Sequence, residues 1–342
     1  MAEAKYLVSI CIPTYNRAPY LKQCLDSLVC QPEFLKGDVE IVISDNASTD
    51  DTCTLVMDYQ KQYANITYHR NSYNVGCING DINYAIAMQS GHGILRKLGG
   101  DIRIYKKGSL QYFCDISRKW STSKPVIYFS NGYIRGNVQE MEEITTMDHF
   151  LECASFMLTW IDTFFLWDEE CRDLVPFAEN SRTGFWFVEK TIELMEQKKR
   201  VVFFNKKLIE YIPIKGKNVS YGIFDVFYNK FLGIFRALVN EQVITSERFN
   251  YLEKDLLFGF FMNSILAWEL RHKYYVFSQK ENLKEMVWNQ YATRPYFKDF
   301  CRTYNKLYKK GKFRQRVKDI PILGMLLVKI KRMIMMKWGK GL

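Results

Sequence analysis

Apolar runs that end in polar or glycine-bearing turns alternate with helically spaced segments over the first hundred residues. This alternation restricts the fold more than any other feature. Leu7 to Ile12 reads as a buried strand, closed by Pro13-Thr14-Tyr15-Asn16. Residues 18–30 place Leu21, Leu25 and Leu28 at helical spacing. Val39 to Ser44 is a second buried strand, and the turn Asp45 to Asp50 offers a helix cap, with Asp50 favoured for that task. A helix over 51–63, a strand from Ile66 to His69, a helix over 79–90 and a strand from Ile94 to Leu98 follow, ending at Gly99-Gly100-Asp101. The pattern predicts an α/β fold: a Rossmann-like, mostly parallel sheet with helices on both faces. Ligands of such sheets lie beyond the carboxyl ends of the strands. Four polar segments fall there: Thr14 to Arg17, Asp45 to Asp50, Asn71 to Gly76, and Asp101.

The second half is less regular and largely helical. A strand is expected at Val126 to Ser130, a helix at 185–197 and a strand at Val201 to Phe204, with helices over 223–240, 246–275 and 282–310. With 48% hydrophobic and 25% charged residues, the chain has the make-up of a globular protein rather than a disordered one. Its net charge of +11 is local: residues 304–342 hold twelve Lys or Arg against Asp319 alone, and the rest of the chain balances. Such a tail speaks against a nucleic-acid-binding face. Leu323, Leu326, Leu327, Ile330, Met333 and Ile334 share one helical face there, with Lys329, Lys331 and Arg332 around it, as in a helix lying on an anionic membrane surface. Three regions are expected: 1–115, the α/β half; 116–303, the largely helical region; and 304–342, associating with a membrane. Nine cysteines without a CxxC pair, no signal-peptide pattern and no long apolar span predict a cytoplasmic chain, peripheral on the inner face of the cell membrane.

The chemistry follows from the strand ends. A carboxylate such as Asp45 can accept the N–H of a nucleobase, with Asn46 and Ser48 in the same turn. Its alternative task is to cap the next helix together with Ser48. Arg17 can reach a phosphate. Asn74 and Gly76 precede a helix, where backbone N–H groups suit phosphate equally with a simple turn. His69, His92, His149 and His272 form no ligand cluster.

The segments VSICIPTYNRAPYLKQCLDSL, EIVISDNASTDDT, NVG, SGHGILRKLGGD and KKGSL, in this order over residues 8–110, resemble the nucleotide-binding half of family 2 glycosyltransferases with the GT-A fold. The resemblance covers about a third of the chain. It implies that Asp45 holds the base, Pro13, Thr14 and Asn16 line the nucleotide, and Gly100 and Asp101 face the diphosphate. The family's acidic motif after the fourth strand holds Mg²⁺ or Mn²⁺, which implies Asp101 as metal ligand; Ile102 stands where a further carboxylate is expected. Three readings follow: weak metal binding through Asp101 alone, which is favoured; replacement of the metal by Arg103, Lys106, Lys107, Arg96 or Lys97; or poor catalysis. The family's general base would fall near Phe187, so Glu189 is the nearest candidate, ahead of Glu179 and Asp168. The expected activity is an inverting transfer of one sugar from a nucleotide diphosphate donor. Its acceptor would be a hydroxyl of a saccharide or lipid-linked saccharide, in surface polysaccharide biosynthesis. The alternative is a non-catalytic nucleotide-sugar-binding subunit.

Overall fold

The computed structural model describes residues 5–76, 82–133, 139–181, 183–197, 200–212, 217–218, 221–271, 275–276 and 281–319. The chain begins with β1 (Tyr6–Thr14), α1 (Ala18–Val29), the single turn α2 (Pro32–Leu35), β2 (Val39–Asp45), α3 (Thr52–Gln60), β3 (Ile66–Arg70), α4 (Ile82–Gln89) and β4 (Gly93–Leu98). The four strands run parallel in the order β3-β2-β1-β4. Every residue of β2 is buried, as a strand covered on both faces requires.

The two faces can be read from β1. Val8, Ile10 and Ile12 join the Leu21, Leu25 and Leu28 stripe of α1 in one apolar core. The opposite face receives α4, whose Asn83 carboxamide accepts from Ser44 Oγ at 2.7 Å and donates to Ser44 O at 2.9 Å. Ser9 also lies on that face and donates to the buried Glu40 at 2.5 Å. A Cβ on Gly93 would stand 2.6 Å from the Ser9 backbone nitrogen, so only glycine allows β4 this close to β1. His92 reaches Glu40 through Nδ1 at 3.1 Å and meets a local hydrogen-bonding need.

Beyond β4 lie β5 (Arg103–Tyr105), α5 (Ser109–Trp120), β6 (Val126–Phe129), β7 (Met141–Ile144), α6 (Met147–Ala154), β8 (Phe165–Trp167), α7 (Leu174–Asn180), α8 (Trp186–Glu196), β9 (Val201–Phe204), β10 (Ile209–Tyr211), α9 (Leu232–Asn240) and α10 (Ser246–Asp255). Strand β8 joins the central sheet antiparallel to β4, β10 pairs antiparallel with β5, and β6-β9-β7 forms a second small sheet. Helix α5 packs Leu110, Phe113 and Cys114 on the core beside α1. The mostly parallel α/β architecture is the one the sequence predicts, and the second half carries more strands than its irregular pattern suggested.

Packing divides the chain into two compact units, Met1–Ile214 with Asp225–Glu253, and Lys215–Phe224 with Lys254–Leu342. The second unit contains α11 (Met262–Arg271), α12 (Leu283–Tyr291) and α13 (Phe297–Asp319), joined by rings such as Trp288 and Phe300 at 5.2 Å. The helix expected over 246–275 is interrupted by a π-helical stretch, Leu256–Phe261, and ends at Arg271. The helix expected over 282–310 is split near Pro295, since proline disfavours helix in the residue before it. Among the described residues, no helix is long and apolar enough to cross a membrane. The amphipathic segment from Leu323 to Trp338 lies outside the described residues.

Lys97 of β4 is fully buried, 5.2–5.9 Å from the rings of Phe113, Phe129 and Phe165, and donates to Leu98 O and Asp162 O at 2.9 Å each. Burial lowers its pKa from the ordinary 10.5 to about 8, against the pull of Asp162. Between these values the unfolded chain binds more protons than the folded one, so folding stability rises with pH there. Wild type should therefore gain on a Lys97→Met variant as pH rises from 8 to 10.5, by up to about 1.4 kcal/mol per pH unit. Urea unfolding of both proteins across that range measures the difference, and a flat difference removes the effect.

Candidate active site

Strand register builds a polar row at the carboxyl edge of the sheet. Thr14 stands opposite Asp45, and Asp45 opposite Arg70. Chain order runs outward from β1 to β3 and then crosses to β4 on the other side of β1. The connections thus diverge at the ends of β1 and β4, the place where open α/β sheets form a ligand crevice. Thr14 and Asp101 meet there: Thr14 Oγ1 donates to Asp101 Oδ2 at 3.0 Å.

Asp45 organises the adjoining loops. Its fully buried carboxylate accepts from Ser48 N at 2.9 Å and Tyr68 Oη at 2.7 Å, with Arg70 Nε at 3.6 Å. Burial, with the hydrogen bond to Asp45, pushes the Tyr68 hydroxyl far above its ordinary pKa. Oδ2 thus faces both Tyr68 and Arg70, while Oδ1 accepts the Ser48 N–H. Asp45 does not cap α3; Asp50 accepts from Thr52 N at 3.1 Å there and also takes the Ala18 N–H of α1 at 3.0 Å. Asn16 adopts a left-handed φ of 50°, which asparagine tolerates better than most residues. From that position its Oδ1 accepts from Thr49 N at 2.7 Å, while its own N–H donates to Ser48 Oγ at 2.9 Å. Asn46 Nδ2 donates to Asn74 Oδ1 at 2.9 Å, and Asn46 Oδ1 accepts from Val75 N at 2.9 Å. Gly76, at φ 75°, gives its N–H to Asn74 Oδ1 at 2.7 Å, which is turn geometry rather than a donor turned to a phosphate. Residues 77–81, between this turn and α4, lie outside the described residues. Pro13 is buried within β1, opposite Ser44.

Asp101 forms the floor of the crevice with Arg17. Arg17 Nη1 lies 3.1 Å from Asp101 Oδ1; the aspartate side chain is 6% exposed and the arginine 35%. Burial pushes the Asp101 carboxyl above the ordinary range, against the pull of Arg17 and Thr14. Ile102 is buried, and its carbonyl accepts from Ile212 N at 2.9 Å. It serves packing and strand pairing where a metal ligand was sought. Of the cations near in sequence, Arg103 is bound to Asp162 at 2.6 Å, Lys97 is enclosed by aromatic rings, Arg96 Nη1 donates to the carbonyls of Met88 and Gln89, and Lys106 pairs with Glu210 at 3.6 Å. Gly100 donates to Asp162 Oδ1 at 3.4 Å, and its carbonyl accepts from Cys24 Sγ at 3.7 Å. Burial would raise the Asp162 carboxyl, but Arg103 and Lys97 outweigh it and hold it below the ordinary range. One carboxylate joined to a guanidinium, and a second neutralised by another, do not fit a metal site built from acidic ligands.

Glu189 is not brought to this floor. In the first turn of α8 it accepts from Thr183 Oγ1 at 2.5 Å. It lines a shallow hollow of about 380 Å³ with Glu193, Gly233, Ala237 and Glu241, and no residue of the crevice contributes to that hollow. Phe187 is buried against Phe164 and Phe185, with centroids 6.1 and 6.0 Å away, so the position of the expected base belongs to an aromatic core. Asp168 pairs with Lys124 at 2.9 Å.

Sequence reading missed Tyr68, Arg70 and Asp162. Asp162 carried a usable signal: it is an acid within the apolar run LTWIDTFFLW, and a buried acid needs a partner. Its partners are distant in sequence, so spacing alone did not identify them.

Residues 9–95 match the family model described as Glycosyl transferase family 2. The abequosyltransferase RfbV of Salmonella typhimurium strain LT2 is 49% identical over 71 residues, covering 20% of this chain and 21% of that protein. The matched stretch spans about a fifth of that relative's length. Staphylococcus aureus TarS 1–349, solved in complex with UDP-GlcNAc, superposes with a TM-score of 0.54 at 18% identity, covering 77% of this chain and 75% of that one. The mannosyltransferase PcManGT from Pyrobaculum calidifontis, solved with GDP-Man and Mn²⁺, gives a TM-score of 0.51 at 13% identity, covering 91% of this chain and 86% of that one. These likenesses agree on the GT-A fold, and residues 9–95 are similar in sequence to glycosyl transferase family 2.

Proposed function

We propose that this protein transfers one sugar, with inversion, from a nucleotide diphosphate donor to a hydroxyl of a saccharide or lipid-linked saccharide in surface polysaccharide biosynthesis. The observation that carries this reading is the meeting of Thr14, Arg17 and Asp101 at the divergence of β1 and β4, beside the Asp45 loops. Fold neighbours solved with UDP-GlcNAc and GDP-Man support a nucleotide-sugar donor. In the transfer the donor C1–O bond breaks and its electron pair leaves on the diphosphate. The acceptor oxygen bonds to C1 from the opposite face, and the acceptor proton is lost to a base. The nucleobase N–H is accepted by the Asp45 carboxylate, whose contact with Arg70, at 3.6 Å, is the longest of its three. The basic segment after residue 303 holds the enzyme on the cytoplasmic face of a membrane bearing anionic lipids.

This reading assigns Glu189 no step, and no step is routed through a metal. A non-catalytic nucleotide-sugar-binding subunit is the second reading; the buried Ile102 and Phe187, both at positions expected to be acidic, favour it.

Thermal-shift measurements with UDP, GDP, dTDP and their sugars test the first step, because a ligand of the native state raises its melting temperature. One nucleotide class should raise it, and a flat response across the panel removes the reading. Transfer or donor hydrolysis separates the enzyme from the binding subunit. Asp101→Ala should abolish turnover while nucleoside monophosphate binding survives, and full activity of this variant removes Asp101 from the reaction. Glu189→Gln should lower turnover by far less than the roughly 10²–10⁴-fold contributed by a general base. A loss in that range, with donor binding unchanged, would restore Glu189 to the mechanism.

A further inference from the structure

Departure of a nucleoside diphosphate from a sugar places negative charge on the leaving phosphate oxygen, and a fixed positive charge there lowers the barrier. Metal sites at diphosphates use carboxylates to hold the ion. Here Ile102 is buried in packing, the Asp162 carboxylate is spent on Arg103 and Gly100, and Asp101 faces a guanidinium. The available positive charge must therefore come from a side chain. Lys97 and Arg103 are enclosed, Arg96 is bound to backbone carbonyls, and Lys106 is paired. Arg17 differs from these, and from the exposed Lys107, in being held by Asp101. One nitrogen is anchored on Asp101, while the side chain is 35% exposed. It immediately precedes α1, whose amino-terminal dipole adds to the positive field at the end of β1.

We propose that Arg17, positioned by Asp101, receives the donor diphosphate in place of a divalent cation, so that donor binding is independent of metal. The inference rests on the nucleotide-sugar reading above. Asp101 is then a positioning residue rather than a metal ligand. The electron pair of the broken C1–O bond stays on the phosphate oxygen and is met by the guanidinium. No proton moves between them, because arginine remains protonated throughout.

Isothermal titration of the full chain with UDP, GDP and dTDP, in EDTA and then in Mn²⁺, tests this, with UMP, GMP and dTMP as controls. The diphosphate that binds should do so within about twofold under both conditions. Arg17→Ala should weaken it by about tenfold or more, with a smaller effect on the monophosphate, and Arg17→Lys should fall between. Asp101→Asn keeps the side-chain shape and should weaken the diphosphate in EDTA, because Arg17 loses its anchor. Binding that vanishes in EDTA and returns with Mn²⁺ overturns the inference and leaves the nucleotide-sugar reading intact. So does an Arg17→Ala variant with unchanged affinity, or an Asp101→Asn defect that appears only with Mn²⁺. Failure of all three diphosphates to bind under either condition removes the reading and the inference together. If circular dichroism shows Arg17→Ala unfolded, the lysine variant and the wild-type EDTA comparison decide.

Discussion

A charge enclosed in an apolar interior is unfavourable unless its partner is enclosed with it. The floor of this crevice meets that constraint through Asp162. Its carboxylate neutralises Arg103 and accepts the Gly100 N–H, and its carbonyl accepts from the buried Lys97 ammonium. The turn that presents Asp101 therefore rests on a residue some sixty positions later in the chain, at the entrance to β8. Strand β8 closes one side of the central sheet, so completion of the sheet and shaping of the turn are coupled.

Above that floor the rim is held by side chains that cross between loops. Asn16, Asp45, Asn46 and Asp50 each bind backbone N–H groups, and Asn16, Asn46 and Asp50 do so on another strand's loop or a neighbouring helix. Loops tied in this way lose little further entropy when a ligand arrives, which is the physical meaning of a preorganised site. Arg17 stands out in this setting because it is both anchored and partly open to solvent.

The first half of the fold was legible because β1 and β2 are mostly apolar and the turns that close the strands are chemically distinct. β2 is buried along its whole length and reads so in the letters VEIVISD. The second half hid its order for two reasons. Strands β5, β8 and β10 have three residues each, too short for alternation to show. Helix α5 keeps Leu110, Phe113, Cys114 and Ser117 at helical spacing, yet it opens inside the segment KKGSL with no side-chain cap and no acidic residue in its first turn. In the site, strand-end position identified Thr14, Asp45 and Asp101. Their partners Tyr68, Arg70 and Asp162 come from other elements, and pairing between distant segments leaves no periodic trace.

Ile102 has a consequence for substitution at this site. Its side chain is buried and its carbonyl is committed to Ile212, in line with the pairing of β5 and β10. A carboxylate introduced there would enter an apolar enclosure already balanced in charge, without a cation to meet it. An acid placed at position 102 alone would therefore carry the cost of burial while the Asp101 carboxylate stays engaged with Arg17.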